Sequence, residues 1–539
     1  MTRASTSDVI VIGSGINGLV AAAELARAGR SVTVVERNDE IGGFVASEAR
    51  TIPGYIHDTY SSWHPLFLAG PAYAALGDDL HRHGLEYSNT DGFVTASVAD
   101  DGRVVVAHRD PVATAAGFTH ERDRVTYLSA LGRFVDNAEQ VGALLGTELR
   151  SPAALRHGLK VLRRTGLKGG STWARDLVSS GRAYCRRSFD GTEVDHLWTP
   201  WLLHAGLSPD QASGGFMLPV MAATMHGFGL PVVTGGSGRF VDAFRRLLDE
   251  LGVRVITGAE AETVVTEDGR AVGVIAAGRL LRARHAVLAS VTPQALYGSL
   301  LEGDPLVREP VADDANSYRY GRGAMQIHVA LSAPLSWNDA RLSSTPLIHL
   351  SDGSSSTGIA CAQAEADLLP SLPTVVVGQQ YVVDPSRVPE GAASLWIQLQ
   401  EVPYAPHGDA AGELDTSDGW TKQLAHQFAN RVLARIAQHA PDLDQKLRAV
   451  DVVTPVDLEA HNPNAVHGDP YGGAAELDQN FHWRPLPSSG SHRTSVPGLW
   501  HIGSSTHPGP GLGGASGHLV AQSIIARRSR LPRRTRRSA

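Results

Sequence analysis

The sequence predicts an α/β protein in which a Rossmann-type, doubly wound dinucleotide-binding domain is interleaved with an α+β second domain, a mixed sheet capped by helices. Three observations predict it. With 539 residues the chain is too long for a single hydrophobic core. It opens with a strand, a glycine turn, a helix and a second strand ending on an acid, and glycine-rich strand–helix segments return near residues 235 and 500. Hydrophobic residues make up 42% of the chain and charged residues 19%, which supplies a core and excludes a disordered chain.

The opening unit carries the most information. Residues 8–12 are a short β-branched apolar run, read as a buried strand. Gly13-Ser14-Gly15-Ile16-Asn17-Gly18 follows, then a helical stretch that Gly29 stops, and a strand over residues 31–35 that ends at Glu36. Gly13 permits the sharp turn, Gly15 lets backbone approach a pyrophosphate, and Gly18 lets helix and strand pack closely. The helix N-terminus at Ile16 and Asn17 offers unpaired N–H groups and partial positive charge to phosphate. Glu36, eighteen residues after Gly18, suits ribose hydroxyls and disfavours a 2′-phosphate, so the expected ligand is NAD or FAD.

The next residues separate those two. Glu36-Arg37-Asn38-Asp39-Glu40-Ile41-Gly42-Gly43 resembles the extended fingerprint of FAD-dependent oxidoreductases, with Phe44 where most members carry a basic residue. Gly235-Gly236-Ser237-Gly238 opens a further helix, and the strands around the Asp268-Gly269 turn resemble the same enzymes' adenine-contacting hairpin, which puts Ala261 in the contact slot. A strand at residues 498–502 leads into Gly503-Ser504-Ser505-Thr506-His507-Pro508-Gly509-Pro510-Gly511-Leu512-Gly513-Gly514-Ala515. This run resembles the C-terminal flavin-binding motif of the phytoene desaturase-like (carotenoid desaturase-like) family. Segments around Trp201-Leu202-Leu203-His204, Asp384-Pro385-Ser386-Arg387 and Asp478-Gln479-Asn480-Phe481 resemble the branch related to pyridine nucleotide-disulfide oxidoreductase domain-containing protein 2.

The resemblance spans roughly residues 8–526 and implies a discontinuous FAD-binding domain from residues 1–75, 225–305 and 481–526. Residues 76–224, read as mainly helical, and 306–480, read as strands and a helix, form the substrate domain. FAD is the implied cofactor, held by Gly13, Gly15, Ile16, Asn17, Gly18, Glu36, Arg37, Gly42, Gly43, Phe44, Ala261, Gly503, Ser504, Gly511, Leu512, Gly513, Gly514 and Ala515. The implied activity is that of a dehydrogenase or desaturase passing hydride from a largely apolar or amphipathic small molecule to flavin N5. A flavin-dependent isomerase or oxidase, and a non-catalytic carrier of the Rab GDP-dissociation inhibitor type, are the alternatives.

Catalytic candidates come from histidines in segments expected near the flavin: His57, His64, His226 and His328, with His507 inside the flavin loop. An imidazole titrating near neutrality would take the proton as hydride leaves. Gln326 and His328 alternate on one strand and share a face. No lysine occurs between Lys168 and Lys422, which disfavours an amine oxidase that depends on a roof-strand lysine. No HExxH, paired CxxC, Walker loop or Gly-x-Ser-x-Gly is present, so metal and acyl-transfer chemistry find no support.

Charge and cysteine place the chain in its surroundings. The net charge is −7, but seven arginines fall in residues 527–539, leaving 41 basic against 55 acidic residues elsewhere. An acidic body argues against nucleic acid. Two cysteines and no apolar leader suit a cytoplasmic protein, and the basic tail is expected to be disordered or to make peripheral contact with the inner face of a membrane. The uncharged stretch 211–238, with its prolines and glycines, is read as a buried loop-and-strand lining rather than a membrane span.

Overall fold

The computed structural model describes residues 5–529, with the side chains of residues 5 and 527–529 undescribed; the backbone of residues 527–529 continues the last helix, and the rest of the basic tail lies outside the described residues. Two seven-stranded sheets organise the chain. The first runs Ala261–Glu267, Arg270–Ala276, Arg279–Ser290, Ser5–Ile12, Val32–Val35, Arg254–Ile256, with Leu499–Ile502 also paired to Arg279–Ser290. Its central strands are parallel, Ile10 lying opposite both Thr33 and Val287. Val9, Ile10 and Val11 are fully buried because other elements cover both faces of the sheet, and that is why the run is continuously apolar rather than alternating.

Helix Ile16–Arg27 follows the first strand and is met by the closing helix Ala515–Ser529. The two cross at Gly517, where a Cβ would lie 1.9 Å from the Asn17 carbonyl oxygen. Only glycine permits that approach. Segments 500 residues apart in sequence are thereby packed against each other.

The second sheet runs Leu447–Val453, Gly323–Leu331, Ala393–Val402, Val375–Gly378, Leu347–Leu350, Phe93–Val98, Val104–His108. Gln326 pairs with Gln398 and His328 with Trp396 in antiparallel register. Ile327, Val329, Ile397 and Leu399 pack with Phe428, Val432 and Ile436 of helix Lys422–His439. Gln326, Trp396, Gln398 and Gln400 look the other way, toward a cavity beneath the sheet. Thus the two-residue period of the strands separates a dry core from a polar ceiling.

The structure departs from the sequence expectations in two places. Residues 76–224 are not only helical, since the β-branched runs Phe93–Val98 and Val104–His108 extend the second sheet. Within the part that is helical as expected, residues 152–178 are helical on both sides of a non-helical Gly166 (φ 69°, ψ 177°), which kinks the run Pro152–Val178. The stretch read as loop and strand contains helix Gly214–Phe228, with Pro219 inside it. Proline and glycine lower helix propensity there, and tertiary packing overrides it: Leu218, Ala222 and Met225 are buried against Tyr184, Leu197 and Trp198.

Candidate active site

A cavity of about 1630 Å³ runs from the first glycine turn to the helices of residues 134–230. Pockets for one organic ligand typically span about 300–1,000 Å³, so this space has room for a dinucleotide and a second molecule. At its nucleotide end lie Gly13, Gly15, Ile16, Asn17, Glu36, Arg37, Gly42, Gly43, Phe44 and Ala261, with Gly503, Ser504, Gly511, Leu512, Gly513, Gly514 and Ala515. Every sequence-derived cofactor residue except Gly18 therefore lines it.

Gly18 acts one layer back. A Cβ there would stand 2.1 Å from the Gly13 carbonyl oxygen, so its missing side chain lets the helix sit on the turn. At Gly15 a Cβ would meet nothing within 4 Å, and helix Ile16–Arg27 begins there with no side-chain cap. The second glycine turn closes from above through the Gly15–Gly42 bridge. Open space, uncapped N–H groups and two glycine turns face to face form a cradle that fits a pyrophosphate. Glu36 Oε2 accepts from Ser14 N (2.9 Å) and Ser14 Oγ (2.6 Å), while Oε1 accepts from Asn38 N (2.9 Å). A carboxylate has about four acceptor sites, so one remains for a ribose hydroxyl.

The C-terminal glycine loop is braced from the helical insert. Ser516 Oγ accepts from Gly503 N (3.1 Å) and lies 2.7 Å from Thr506 Oγ1 and 3.1 Å from His492 Nε2. The other ring nitrogen of His492 is 2.7 Å from Glu148 Oε1. His492 is fully buried, so this chain of contacts is sheltered from water.

The histidine candidates behave differently. None of His57, His64, His226 and His328 lines the cavity. His57 reaches Thr51 Oγ1 (2.9 Å) and packs 5.2 Å from the His328 ring. His328 lies under the Thr59 carbonyl (3.2 Å), so of the Gln326–His328 pair Gln326 alone faces the cavity. His64 turns back onto Phe240 and the Tyr87 hydroxyl (3.0 Å), although Trp63 and Pro65 beside it line the cavity. His226 is held between Tyr127 OH (2.6 Å) and the His108 carbonyl (2.9 Å). Burial pushes His57 and His64 down to about 4, lowers His226 and takes His328 well down, so all four move away from neutrality. His507 does line the cavity, 3.2 Å from the Leu144 carbonyl, and burial takes it down to about 4.

The structure adds residues that the sequence reading missed. His461, at the end of helix Pro455–His461, stacks on Tyr60 (4.5 Å between centroids, 26°), and Tyr60 contacts Phe44 (5.1 Å). His461 Nε2 lies 3.1 Å from the Gly43 carbonyl. Asn464 accepts from Thr292 N (3.0 Å) and donates to the Ser290 carbonyl (3.3 Å), which fixes the turn after the longest strand of the first sheet.

Overhead, Gln326 donates to the Tyr60 carbonyl (2.9 Å), and Gln400 donates to Gln398 Oε1 (3.1 Å) and Tyr471 OH (2.7 Å). Gln326 Oε1, Gln400 Oε1 and Trp396 Nε1 are buried without a partner. Nearby, His204 stacks on Trp201 (4.5 Å) and meets His349 (Nε2 to Nε2, 3.1 Å); burial pushes His204 down to about 3. The glutamines at Gln398 and Gln400, two apart in a mostly apolar strand, were the available signal for a polar ceiling. Among the described residues no lysine lines the cavity.

Comparison with known proteins settles the family. Residues 16–525 match the flavin containing amine oxidoreductases. The chain belongs to this family. It is 28% identical to pyridine nucleotide-disulfide oxidoreductase domain-containing protein 2 of Mus musculus, over 96% of this chain and 93% of that one. It is 26% identical to hydroxyneurosporene desaturase of Cereibacter sphaeroides (96% and 97%). A limonene dehydrogenase polypeptide of Castellaniella defragrans is 25% identical (97% and 95%). The chain is an FAD-dependent oxidoreductase of the phytoene desaturase-like group, and its cofactor is FAD.

Proposed function

We propose that the protein dehydrogenates a largely apolar small molecule carrying one hydrogen-bonding group. The observation that carries this reading is the undivided cavity. Beyond the dinucleotide cradle it is walled by Leu155, Val161, Trp173, Leu177, Phe216 and Val220, and polar side chains gather along the ceiling. An apolar stem is stabilised by leaving water, at roughly 25 cal/mol per Å² buried. The orphaned Gln326 Oε1 and Gln400 Oε1 would accept from a hydroxyl or N–H of the substrate, and Trp396 Nε1 would donate to an oxygen.

FAD in the cradle supplies a two-electron acceptor. With FAD bound, the substrate would give up a hydride to that acceptor and a proton to water at the cavity mouth, becoming one double bond richer, and an external acceptor would take the two electrons. The chain's part is to orient the substrate by its polar end, hold it against the Phe44–Tyr60–His461 cluster and exclude water. The four histidines outside the cavity are positioning and packing residues in this reading. The relatives named for limonene and hydroxyneurosporene support an apolar substrate.

The test is anaerobic bleaching of the purified yellow protein. Apolar molecules with a single hydroxyl or carbonyl are expected to reduce the flavin, with a product two hydrogens lighter. Bleaching by primary amines alone, with none by the apolar series, would overturn the proposal.

A further inference from the structure

The apolar wall of the cavity does not end inside the protein. Leu66, Val135, Leu145, Leu155 and Phe228 all line the cavity, and all are among the exposed large apolar side chains, between 41% and 67% accessible. They form a mouth that is greasy on its outer lip. Soluble surfaces seldom gather such residues without a partner.

Helix Pro152–Val178 borders this mouth and divides into three faces. Ala154, Gly158 and Val161 face the cavity. Leu155, Leu159 and Leu162, spaced four and three apart, form an outward stripe, and Leu167 past the kink is 84% exposed. Arg156, Lys160, Arg163 and Arg164 lie alongside, with Lys168 and Arg175 further on, and all six are exposed. Asp176 is the helix's one acid, and its ion-pair partners are Arg133 and Arg187, which lie outside the helix. The six cations thus form no ion pair among the described residues, on a body that is acidic overall.

We infer that this face rests on an anionic lipid bilayer, with the Leu155–Leu159–Leu162 stripe sunk among the headgroups and the basic row on lipid phosphates. A helix with an apolar stripe and a Lys/Arg-rich flank lies in an interface rather than across it. No helix among the described residues is long and apolar enough to cross a membrane. Pairing with a second copy of the same face would set two basic rows against each other, so a negatively charged partner fits better. Docked this way, the mouth opens where an apolar substrate is dissolved, and the substrate passes from lipid to cavity without crossing water. Docking of this kind is independent of which molecule is oxidised.

The test uses full-length holoprotein and vesicles of phosphatidylcholine with or without phosphatidylserine. Pelleting is expected only with phosphatidylserine and is expected to weaken as salt rises. K160E/R163E/R164E and L159S/L162S/L167S are each expected to cut pelleting at least ~10-fold while keeping the yellow colour and thermal midpoint. Cys185 and Cys361 are buried, so Leu159→Cys can be labelled selectively with a polarity-sensitive dye, and its emission is expected to shift blue on anionic vesicles. Three outcomes would overturn the inference: no pelleting of the native protein, pelleting abolished by deleting residues 527–539 but unchanged by both helix variants, or helix variants that change only the oligomeric state.

Discussion

The guanidinium of Arg387 lies 2.7 Å from the carboxylate of Asp58, with the arginine side chain 1% and the aspartate 0% accessible. Arg387 also contacts Asp384 (3.0 Å) and donates to the Val233 carbonyl (2.7 Å), while Asp58 accepts from Ser237 N (2.7 Å). The clamp joins residues 58, 233–237 and 384–387, three stretches that meet only in the fold. Removing one partner from a buried ion pair strands a charge and costs about 3–5 kcal/mol. Arg387→Met is therefore expected to lower unfolding free energy by about that amount in denaturant titration. The triple variant D58N/D384N/R387M is expected to lose less than Arg387→Met alone, because no charge is left unpaired.

Two glycines of the nucleotide turn should fail in different ways. Gly18→Ala puts a methyl group 2.1 Å from the Gly13 carbonyl oxygen, so the apoprotein itself is expected to lose stability. Gly15→Ala has free space in the apoprotein, and its thermal midpoint is expected to be unchanged. Its FAD affinity is nonetheless expected to fall at least ~10-fold, because the added carbon occupies the cradle. Apoprotein melting and FAD titration by fluorescence quenching separate the two.

Acid should weaken the fold through its buried imidazoles. His64 sits near 4 in the folded protein against 6.5 unfolded, so only the unfolded chain binds a proton between those values. Stability from His64 is complete above pH 6.5 and is lost as pH falls through 4, at about 3 kcal/mol in all. His64→Asn carries no titrating ring. Its unfolding free energy is expected to fall less than that of the native protein between about pH 7 and pH 4.5, by calorimetry or denaturant titration at both pH values.

The ceiling can be tested without touching the flavin cradle. Gln326→Leu removes one hydrogen bond, to Tyr60, and one buried acceptor that has no partner in the protein. These effects oppose each other, so stability is expected to change by less than about 1 kcal/mol. Steady-state kinetics are expected to show KM raised ~10-fold for a hydroxylated substrate with kcat nearly kept, the signature of lost binding rather than lost chemistry.

Short-range backbone features were legible in the sequence. Gly13, Gly15, Gly18 and Glu36 could be placed because a tight turn, a close approach and a strand end need particular residues at fixed offsets. His461 and Asn464 could not, since 418 residues separate His461 from the Gly43 carbonyl it meets. The segment around His64 does border the cavity, but one bond decides whether a side chain faces cavity or core, and packing on Phe240 turns the ring inward. The Asp384-Pro385-Ser386-Arg387 run reads in sequence only as a mark of kinship; as the Arg387 clamp shows, its work is to join distant strands.

The undivided space between the Gly13 turn and the Trp173–Phe216 wall has a thermodynamic corollary. With no partition, each occupant supplies part of the other's enclosure and sheds part of the other's water. Their affinities must then be linked, and linkage is reciprocal: whatever factor a bound apolar molecule adds to flavin retention, flavin adds to the retention of that molecule. Emptying one half of the chamber loosens the tenant of the other.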